Sequence, residues 1–380
     1  MSSLGSSRSS SPPEVDAVQP VDIRAGVSRY QAWVGPGLLV SLPTLLDRAG
    51  LAGRPRIVAD RNVWSAHGEA VEAALRAAGR DIGVALVPSG EERKSLTEAE
   101  RLWDWLLEVG TDRGDCVVAV GGGVVGDLAG FVAATFLRGL PLIHVPTTLL
   151  AQVDSSIGGK VAINHRLGKN LIGAFHQPAL VVADTSLLKS LPPREYRAGW
   201  AEIVKIAVLS DPHLFRTLQQ RTAALLHFED EQSLGGVIRR AVELKAAVVG
   251  EDERESGRRV ILNYGHTVGH AIEAATGYRR YLHGEAVAIG MAAAGVLANR
   301  RGLFASEDLA AQADLLARFG LPNRADGVSS TSLLGPLARD KKARGKTIEW
   351  VLPTGIGGVT TVRDVRTDEL EAALLAVGCA

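Results

Sequence analysis

An acid, two glycines and a lysine fall within the seven residues Asp154-Ser-Ser-Ile-Gly-Gly-Lys160, and Lys169-Asn170 follows nine residues later. Ammonium groups on a glycine-rich stretch, whose backbone takes turns closed to other residues, suit an anionic ligand. Lysine is the rarer cation of this chain, nine of the 42 Lys plus Arg. Where Arg is the default, each Lys is a compact charge with a movable pKa in place of a planar guanidinium. Arg138, Lys160, Lys169, Lys205, Lys245, Arg259 and one or both of Lys341-Lys342 are too scattered in sequence to form one surface stripe. Converging donors of this kind recognise phosphate and carboxylate groups. Lys189 and Lys346 read as ordinary surface charges.

Downstream, Asn263-Tyr-Gly-His266-Thr-Val-Gly-His270 places two histidines on one helix face, and His283 precedes the next predicted helix. Two histidines and a carboxylate that leave coordination positions open make a catalytic Zn2+-type centre. Glu202, inside the apolar Ala201-Glu-Ile-Val-Lys205, needs a partner and is the candidate carboxylate. Glu273 and Glu285 read as parts of a solvated face. Spacing leaves open which of the histidines would bind a metal.

Gly121-Gly-Gly-Val-Val-Gly126 satisfies G-x-G-x-x-G between a predicted strand and a predicted helix, the setting in which backbone N–H groups and a helix N-terminus hold a pyrophosphate. The acid expected about 20 residues later on the next strand is missing, which leaves Asp60, at the end of an earlier strand, as the ribose candidate. Without a ligand the same glycines serve as a tight strand-to-helix turn. Thr147-Thr148 put two hydroxyls at a strand's carboxyl end, where open α/β sheets bind ligands.

The elements that must position these groups follow from periodicity. Apolar runs at 30–34, 56–60, 84–87, 116–120, 142–145 and 181–184 predict strands, alternating with helices that end near 46, 78, 109 and 138. That alternation predicts an α/β domain with a mostly parallel sheet, in which 154–170 reads as a loop-rich region. After Leu191-Pro-Pro193 only helical periodicity is found, at 194–209, 212–228, 234–249, 266–276, 285–301, 306–319 and 367–377. The expected division is a disordered Ser-rich tail at 1–20, an α/β domain at 21–186 and a mainly α-helical domain at 187–380. Lys plus Arg and Asp plus Glu are both 42, so bulk charge points to neither nucleic acid nor a membrane surface. No apolar run approaches the roughly 20 residues of a membrane span. The first residues lack the apolar core of a secretory signal, and Cys116 and Cys379 offer neither a metal spacing nor a disulfide framework. A reducing cytoplasm is the expected setting.

The stretches Gly121 to Gly130, Phe136-Leu-Arg-Gly139, Val145 to Lys160, Gly168-Lys-Asn-Leu-Ile-Gly173 and Leu262 to Glu273 closely resemble the 3-dehydroquinate synthase family of sugar-phosphate cyclases. The resemblance implies a cytoplasmic, homodimeric lyase of the shikimate pathway of aromatic amino acid biosynthesis. It implies a Rossmann-like NAD domain followed by a metal-binding helical domain. The reaction implied is conversion of 3-deoxy-D-arabino-heptulosonate 7-phosphate to 3-dehydroquinate and phosphate, through oxidation, elimination, reduction and aldol closure. By the same resemblance Glu202, His266 and His283 are ligands of a Zn2+ or Co2+ ion, and His270 belongs to the substrate. Asp60, Asn62, Glu91, Lys94, Gly123, Val124, Val125, Gly126, Asp127, Thr147, Thr148, Leu187 and Ser190 match NAD contacts, with Lys160 and Lys169 close to both cofactor and substrate. Asp154, Lys160, Lys169, Asn170, Lys205, Lys245, Glu255, Arg259, Asn263, His270 and Lys342 (or Lys341) match the substrate site. Arg259 is expected to meet the substrate carboxylate with its planar guanidinium, and Arg138 matches an arginine that reaches the partner subunit's phosphate pocket. The sequence departs from the family pattern at Val161-Ala162, where Thr-Gly is usual, at Ile206-Ala207 and at Ser190. The alternatives are an amino-dehydroquinate synthase type of cyclase and a metal- and NAD-dependent polyol dehydrogenase.

Overall fold

Four runs with almost no polar residue, β3 to β6 in the numbering below, can be buried on both faces only if helices cover both sides of their sheet. The computed structural model, which describes residues 18–333 and 348–379 together with Val15 and Gly335, shows this arrangement. A hairpin, β1 (Val21–Ala25) and β2 (Ser28–Gly35), leads into α1 (Leu42–Arg48), β3 (Pro55–Asp60), α2 (Arg61–Ala77) and β4 (Gly83–Val87). Then follow α3 (Leu96–Glu108), β5 (Cys116–Gly121), α4 (Gly123–Thr135), β6 (Leu142–Pro146), the hairpin β7 (Lys160–His165) with β8 (Gly168–Phe175), and β9 (Leu180–Asp184). The main sheet has the order β1-β2-β9-β6-β5-β3-β4, parallel throughout except for β1 against β2. The mostly parallel sheet of the sequence reading is therefore present, with β1 an additional edge strand. Alternate residues divide its core: Ile57, Val118, Val120 and Val182 face α1 and α2, whereas Val58, Val117 and Ala119 face α3 and α4. Cys116 lies in the first of these layers, where burial pushes its thiol up to about 12.

The stretch read as loop-rich is in fact the antiparallel hairpin β7–β8, preceded by a π-helical turn, Ala151–Ser155. Val161 and Ile163 of β7 are buried against α4, while β8 is exposed along most of its length. Four glycines and an exposed apolar strand disguise the alternation that would mark a hairpin.

Beyond β9 the chain forms α5 (Pro193–Ser210), α6 (Pro212–Leu226), α7 (Glu231–Glu251), α8 (His266–Ala275), α9 (His283–Arg300) and α10 (Ser306–Arg318). A small hairpin, β10 (Trp350–Gly355) with β11 (Gly358–Val362), and the helix Thr367–Ala376 complete it. His283 opens α9 rather than preceding it. The helices share one core with Val21, Ile23, Tyr30, Ala32, Val181 and Ala183 at the β1–β2–β9 end of the sheet. The Ser-rich segment and Lys341-Lys342 lie outside the described residues. Among the described residues no helix is long and apolar enough to cross a membrane.

Helix α9 is buried at Gly284 and without a break from Ala286 to Gly295, and its buried residues there are all small or aliphatic, Met291 the longest. Its glycines let neighbouring backbones approach to contact: a Cβ at Gly290 would stand 1.8 Å from the Gly265 carbonyl oxygen, and one at Gly284 would stand 1.9 Å from that of Ala198. These contacts bring α8 and α5 against the start of α9. Gly290→Ala is expected to force α8 away and to cost about 1–3 kcal/mol, the usual penalty of overpacking. Denaturant unfolding would measure it, and an unchanged midpoint would refute the close-approach argument.

Candidate active site

Glu202 sits near the middle of α5, where a carboxylate surrounded by Ile203, Val204 and Trp200 is costly unless compensated. It is 3% exposed, and neither of its carboxylate oxygens accepts a hydrogen bond. The Lys205 ammonium, one helical turn along, forms an ion pair with it, without hydrogen-bond alignment. His266 from α8 brings Nε2 to 3.6 Å from Glu202 Oε1, and His283 from α9 brings Nε2 to 3.7 Å from the same oxygen. Their other ring nitrogens are held from behind. His266 Nδ1 lies 3.1 Å from the Tyr264 carbonyl, and His283 Nδ1 lies 3.3 Å from Glu273 Oε2. Two imidazole nitrogens aimed at one orphaned carboxylate, each imidazole oriented by an acceptor behind it, is the donor set of a divalent metal centre. Burial, then the charges of Lys205, His270 and His283, hold His266 well below its ordinary pKa and hence neutral, the form that ligates. Burial alone would lower His283 as well, but the Glu273 hydrogen bond and the charges of Glu273, Glu202 and Asp154 outweigh it and raise its pKa.

Glu273 does not belong to a solvated face. It is 4% exposed, and burial, which would raise its pKa, is outweighed by the His283 hydrogen bond and by the charges of His283, His270 and Lys169, which bring it to about 2. His270, Glu273 and His283 form a second group with metal-ligand spacing. The first group is the better centre because Glu273 is already engaged by His283 and Lys169, whereas the Glu202 oxygens have no hydrogen-bond donor. The signal for Glu273 was legible: it is seven residues after His266 and three after His270, on one helix face. Glu285, the other acid read as solvated, caps α9 at the Leu282 N–H and pairs with Arg194.

The lysines converge on this centre, each facing a carboxylate. Lys245 Nζ donates to the Asp154 carbonyl at 2.5 Å and to its Oδ1 at 2.6 Å. The π-helical turn delivers Asp154 to that position. Burial lowers the Lys245 pKa despite Asp154, while Lys245 and Lys205 together depress Asp154 against the effect of its own burial. Lys160 pairs with Glu255, whose other oxygen takes the Asn263 amide at 2.6 Å. Lys169 lies 3.6 Å from Glu273 and 3.8 Å from Glu91, with its ammonium 4.2 Å from the centre of the Tyr278 ring. Arg259 is buried, and its guanidinium donates to the carbonyls of Glu253 at 2.5 Å and Gly158 at 3.1 Å. Asp252 accepts the Arg259 backbone N–H. Gly158, at φ 97°, is in the left-handed region that favours glycine, and a Cβ there would stand 2.5 Å from the guanidinium.

At the carboxyl edge of the sheet, β5 ends at Gly121 and α4 starts at Gly123. A Cβ at Gly122 would stand 2.9 Å from the Thr148 methyl, and one at Gly126 would stand 3.4 Å from the His144 ring. The close approach of the loop to Thr148 therefore depends on glycine at 122, whereas 126 has room for a methyl. Thr147 is buried with its hydroxyl lacking a hydrogen-bond partner, while its N–H donates to the Gly121 carbonyl. The Val125 and Leu187 side chains are in the core, so only their backbone can meet a ligand. Asp60 caps α2 and accepts from Ser89, which also takes the Asn62 amide. Lys94 joins Asp127 to Asn170, and burial raises the Asp127 pKa even with that lysine beside it. Ser190 donates to the Leu187 carbonyl and lies 2.7 Å from His67 Nε2. An orphaned hydroxyl beside a glycine-lined helix N-terminus, with polar groups at the ends of β3 and β4, fits a dinucleotide. Arg138 is exposed at the turn after α4, with left-handed backbone at Leu137 and Arg138, and no ion pair among the described residues joins it to the cleft.

Comparison with known proteins agrees with this layout. The family model of the 3-dehydroquinate synthase N-terminal region matches residues 84–198, and that of the C-terminal region matches residues 199–343. The 3-dehydroquinate synthase of Symbiobacterium thermophilum is 47% identical over 355 residues, covering 93% of this chain and 99% of that protein. Among solved structures, the 2-epi-5-epi-valiolone synthase of Streptomyces hygroscopicus subsp. jinggangensis 5008, with NAD+ and Zn2+ bound, superposes with a TM-score of 0.86 at 33% identity, covering 94% of this chain and 98% of its own. A 2-deoxy-scyllo-inosose synthase complexed with carbaglucose-6-phosphate, NAD+ and Co2+ gives 0.84 at 28% identity, covering 94% and 100%.

Metal content decides between the two groups of ligands. His266→Ala and Glu202→Ala are expected to lose bound divalent metal on dialysis, and His270→Ala to keep it, as measured by elemental analysis. Glu273→Gln should weaken metal affinity about 10- to 100-fold through His283. Metal loss from His270→Ala with retention in His266→Ala would move the centre to the other group.

Proposed function

The chain belongs to the 3-dehydroquinate synthase family, and we propose how the residues gathered at its cleft divide that enzyme's work. The reaction converts 3-deoxy-D-arabino-heptulosonate 7-phosphate to 3-dehydroquinate and phosphate. When bound, NAD+ supplies reversible oxidation, and a Zn2+ or Co2+ ion supplies Lewis acidity at the hydroxyl that is oxidised, so that the phosphate can leave by elimination before the ring closes by aldol addition. Residues 21–186 hold the dinucleotide at Gly123–Asp127, Thr147 and Thr148, with Asp60 and Asn62 at the ribose end. Residues 187–380 hold the metal through Glu202, His266 and His283.

The remaining groups bind and orient the substrate. Its phosphate and carboxylate are both anionic; Lys160, Lys169, Lys205 and Lys245 supply cations whose carboxylate partners fix them before the substrate arrives, and Arg259 adds a cation held by two backbone carbonyls. Arg259 serves the substrate carboxylate with the N–H groups not engaged by Glu253 and Gly158. His270 and Asn263, on or just before the helix that carries His266, direct the substrate hydroxyls and carry protons to them. The observation that supports this reading best is the lysine–carboxylate pairs around an orphaned metal-type carboxylate, a set that a polyol dehydrogenase has no use for. We further propose a cytoplasmic homodimer, in which the exposed Arg138 reaches the phosphate pocket of the partner subunit.

Because the oxidation and the reduction cancel, the cofactor is recycled. The purified protein should release one phosphate per 3-dehydroquinate formed with no steady rise in NADH absorbance. Chelation should abolish turnover, and Zn2+ or Co2+ should restore it. Stoichiometric NADH accumulation without phosphate release would instead identify a dehydrogenase.

A further inference from the structure

The β7–β8 hairpin has one register break, between Ile163 and His165, and Asn164 occupies it. The extra residues of this bulge are on β8, where Lys169, Asn170 and Leu171 stand opposite the single Asn164, and the local kink leaves Asn164 bonded across to a different segment. The Asn164 backbone N–H donates to the Lys94 carbonyl at 2.7 Å. Its amide nitrogen donates to Glu91 Oε1 at 2.8 Å and to the Glu91 carbonyl at 3.3 Å. Its amide oxygen accepts the Asn170 N–H at 3.0 Å. Asn170 has φ 57°, a left-handed backbone that a non-glycine residue holds at a cost and that Asn tolerates best. From that conformation its own amide oxygen accepts from Lys94, which also pairs with Asp127.

We propose that Asn164 is a positioning residue that locks Glu91 and Lys94 on the cofactor side to Lys169 and Asn170 on the substrate side. Those four roles rest on the functional reading above. One amide thus spans two segments more than 70 residues apart in sequence and fixes the only strained backbone among the proposed site residues of the hairpin's second strand. The net contribution of such part-buried hydrogen bonds to stability is modest, because water replaces the lost partner. Misplacing a catalytic set by about 1 Å costs on the order of 100-fold in rate. The effect of Asn164 should therefore fall on binding and turnover, with little on folding.

The test uses the full-length, metal-loaded protein and three readouts: NAD+ affinity by fluorescence titration, steady-state constants with the heptulosonate phosphate, and hydrogen exchange at the Asn170 amide. Asn164→Ala is expected to weaken NAD+ and to raise the KM of the sugar phosphate, each about tenfold, the equivalent of one lost net hydrogen bond. Asn170 exchange should quicken while the thermal midpoint stays close to that of the parent. Asn164→Asp, of nearly the same shape, keeps the acceptor for Asn170 but sets a carboxylate against Glu91. It should retain slow exchange and lose NAD+ affinity, and adding Glu91→Gln should recover part of that loss. NAD+ affinity and KM indistinguishable from the parent in Asn164→Ala, a change on one side of the cleft alone, or a collapse of the whole hairpin with a large fall in thermal midpoint would each overturn the proposal. If the unaltered protein binds NAD+ but releases no phosphate, the functional reading fails, and the NAD+ and exchange measurements still decide on Asn164.

Discussion

A carboxylate with no hydrogen-bond donor, buried in the middle of an apolar helix, is the constraint on which this structure turns. Taking such a charge out of water costs several kcal/mol unless opposite charge and further polar groups meet it. For Glu202 the compensation comes from three directions: Lys205 on its own helix, His266 at the start of α8 and His283 at the start of α9. Two helix starts and one helix middle can meet at a single point only if the backbones nearly touch. That requirement accounts for glycine at 284 and 290 and for the run of alanines through α9. The packing of the helical half thus follows from the charge it has to neutralise. A metal bound there would add the remaining cation.

From Glu202 outward the cleft alternates in sign. His283 leads to Glu273, Glu273 to Lys169, Lys169 to Glu91, and Glu91 through Asn164 to Lys94 and Asp127 beside the glycine loop. A second branch runs from Lys205 to the Asp154–Lys245 pair. Alternation sets an opposite charge beside each ammonium group of a partly buried cleft, which offsets the hydration it has lost. It also connects the proposed metal ligands to the glycine loop after β5 through contacts at every step. The hairpin β7–β8 is the link between the two, which gives a physical reason for so much of the chemistry to converge on residues 154–170.

Much of this was legible before any coordinates. The parallel strands were found because burial on both faces leaves continuous apolar runs, and α5 to α10 because their apolar residues recur at helical spacing, all round in most of α5 and α9. The scarcity of lysine was informative too: of the six in the described residues, five face carboxylates of the cleft, and Lys189 pairs with Glu231 at the surface as a scattered charge would. The hairpin was missed because its second strand exposes Leu171, Ile172 and Phe175, so the in–out alternation that reveals a strand is absent. Strand β1 alternates buried Val21, Ile23 and Ala25 with exposed Asp22 and Arg24 and so lacks the continuous apolar run that revealed the other strands, and Pro353 interrupts β10. Asn164 was invisible for a different reason. Its importance arises from a register break, and register is a property of two strands together, which one strand's sequence does not encode.

The departures from the family pattern acquire a physical meaning in this setting. Val161, where a threonine is usual, lays its branched side chain against α4 at Gly130, where a Cβ would stand only 2.3 Å from a Val161 methyl. The hydroxyl is lost, but Val161 anchors the hairpin on the apolar face of α4. Ala162 faces Gly173 on the neighbouring strand, where its Cβ would be 2.9 Å from a Cβ at that glycine, so a methyl at 162 is accommodated because its cross-strand neighbour has no side chain. Ile206 lines the cleft with Val153, Ala241 and Leu262 around Asp154, Glu202, Lys205 and Lys245. An aliphatic wall excludes water from those four charges and strengthens each attraction among them. What the site gives up in hydrogen bonds at these positions it recovers in lower polarity around its fixed charges, which is the condition under which preorganised cations act most strongly on an anionic substrate.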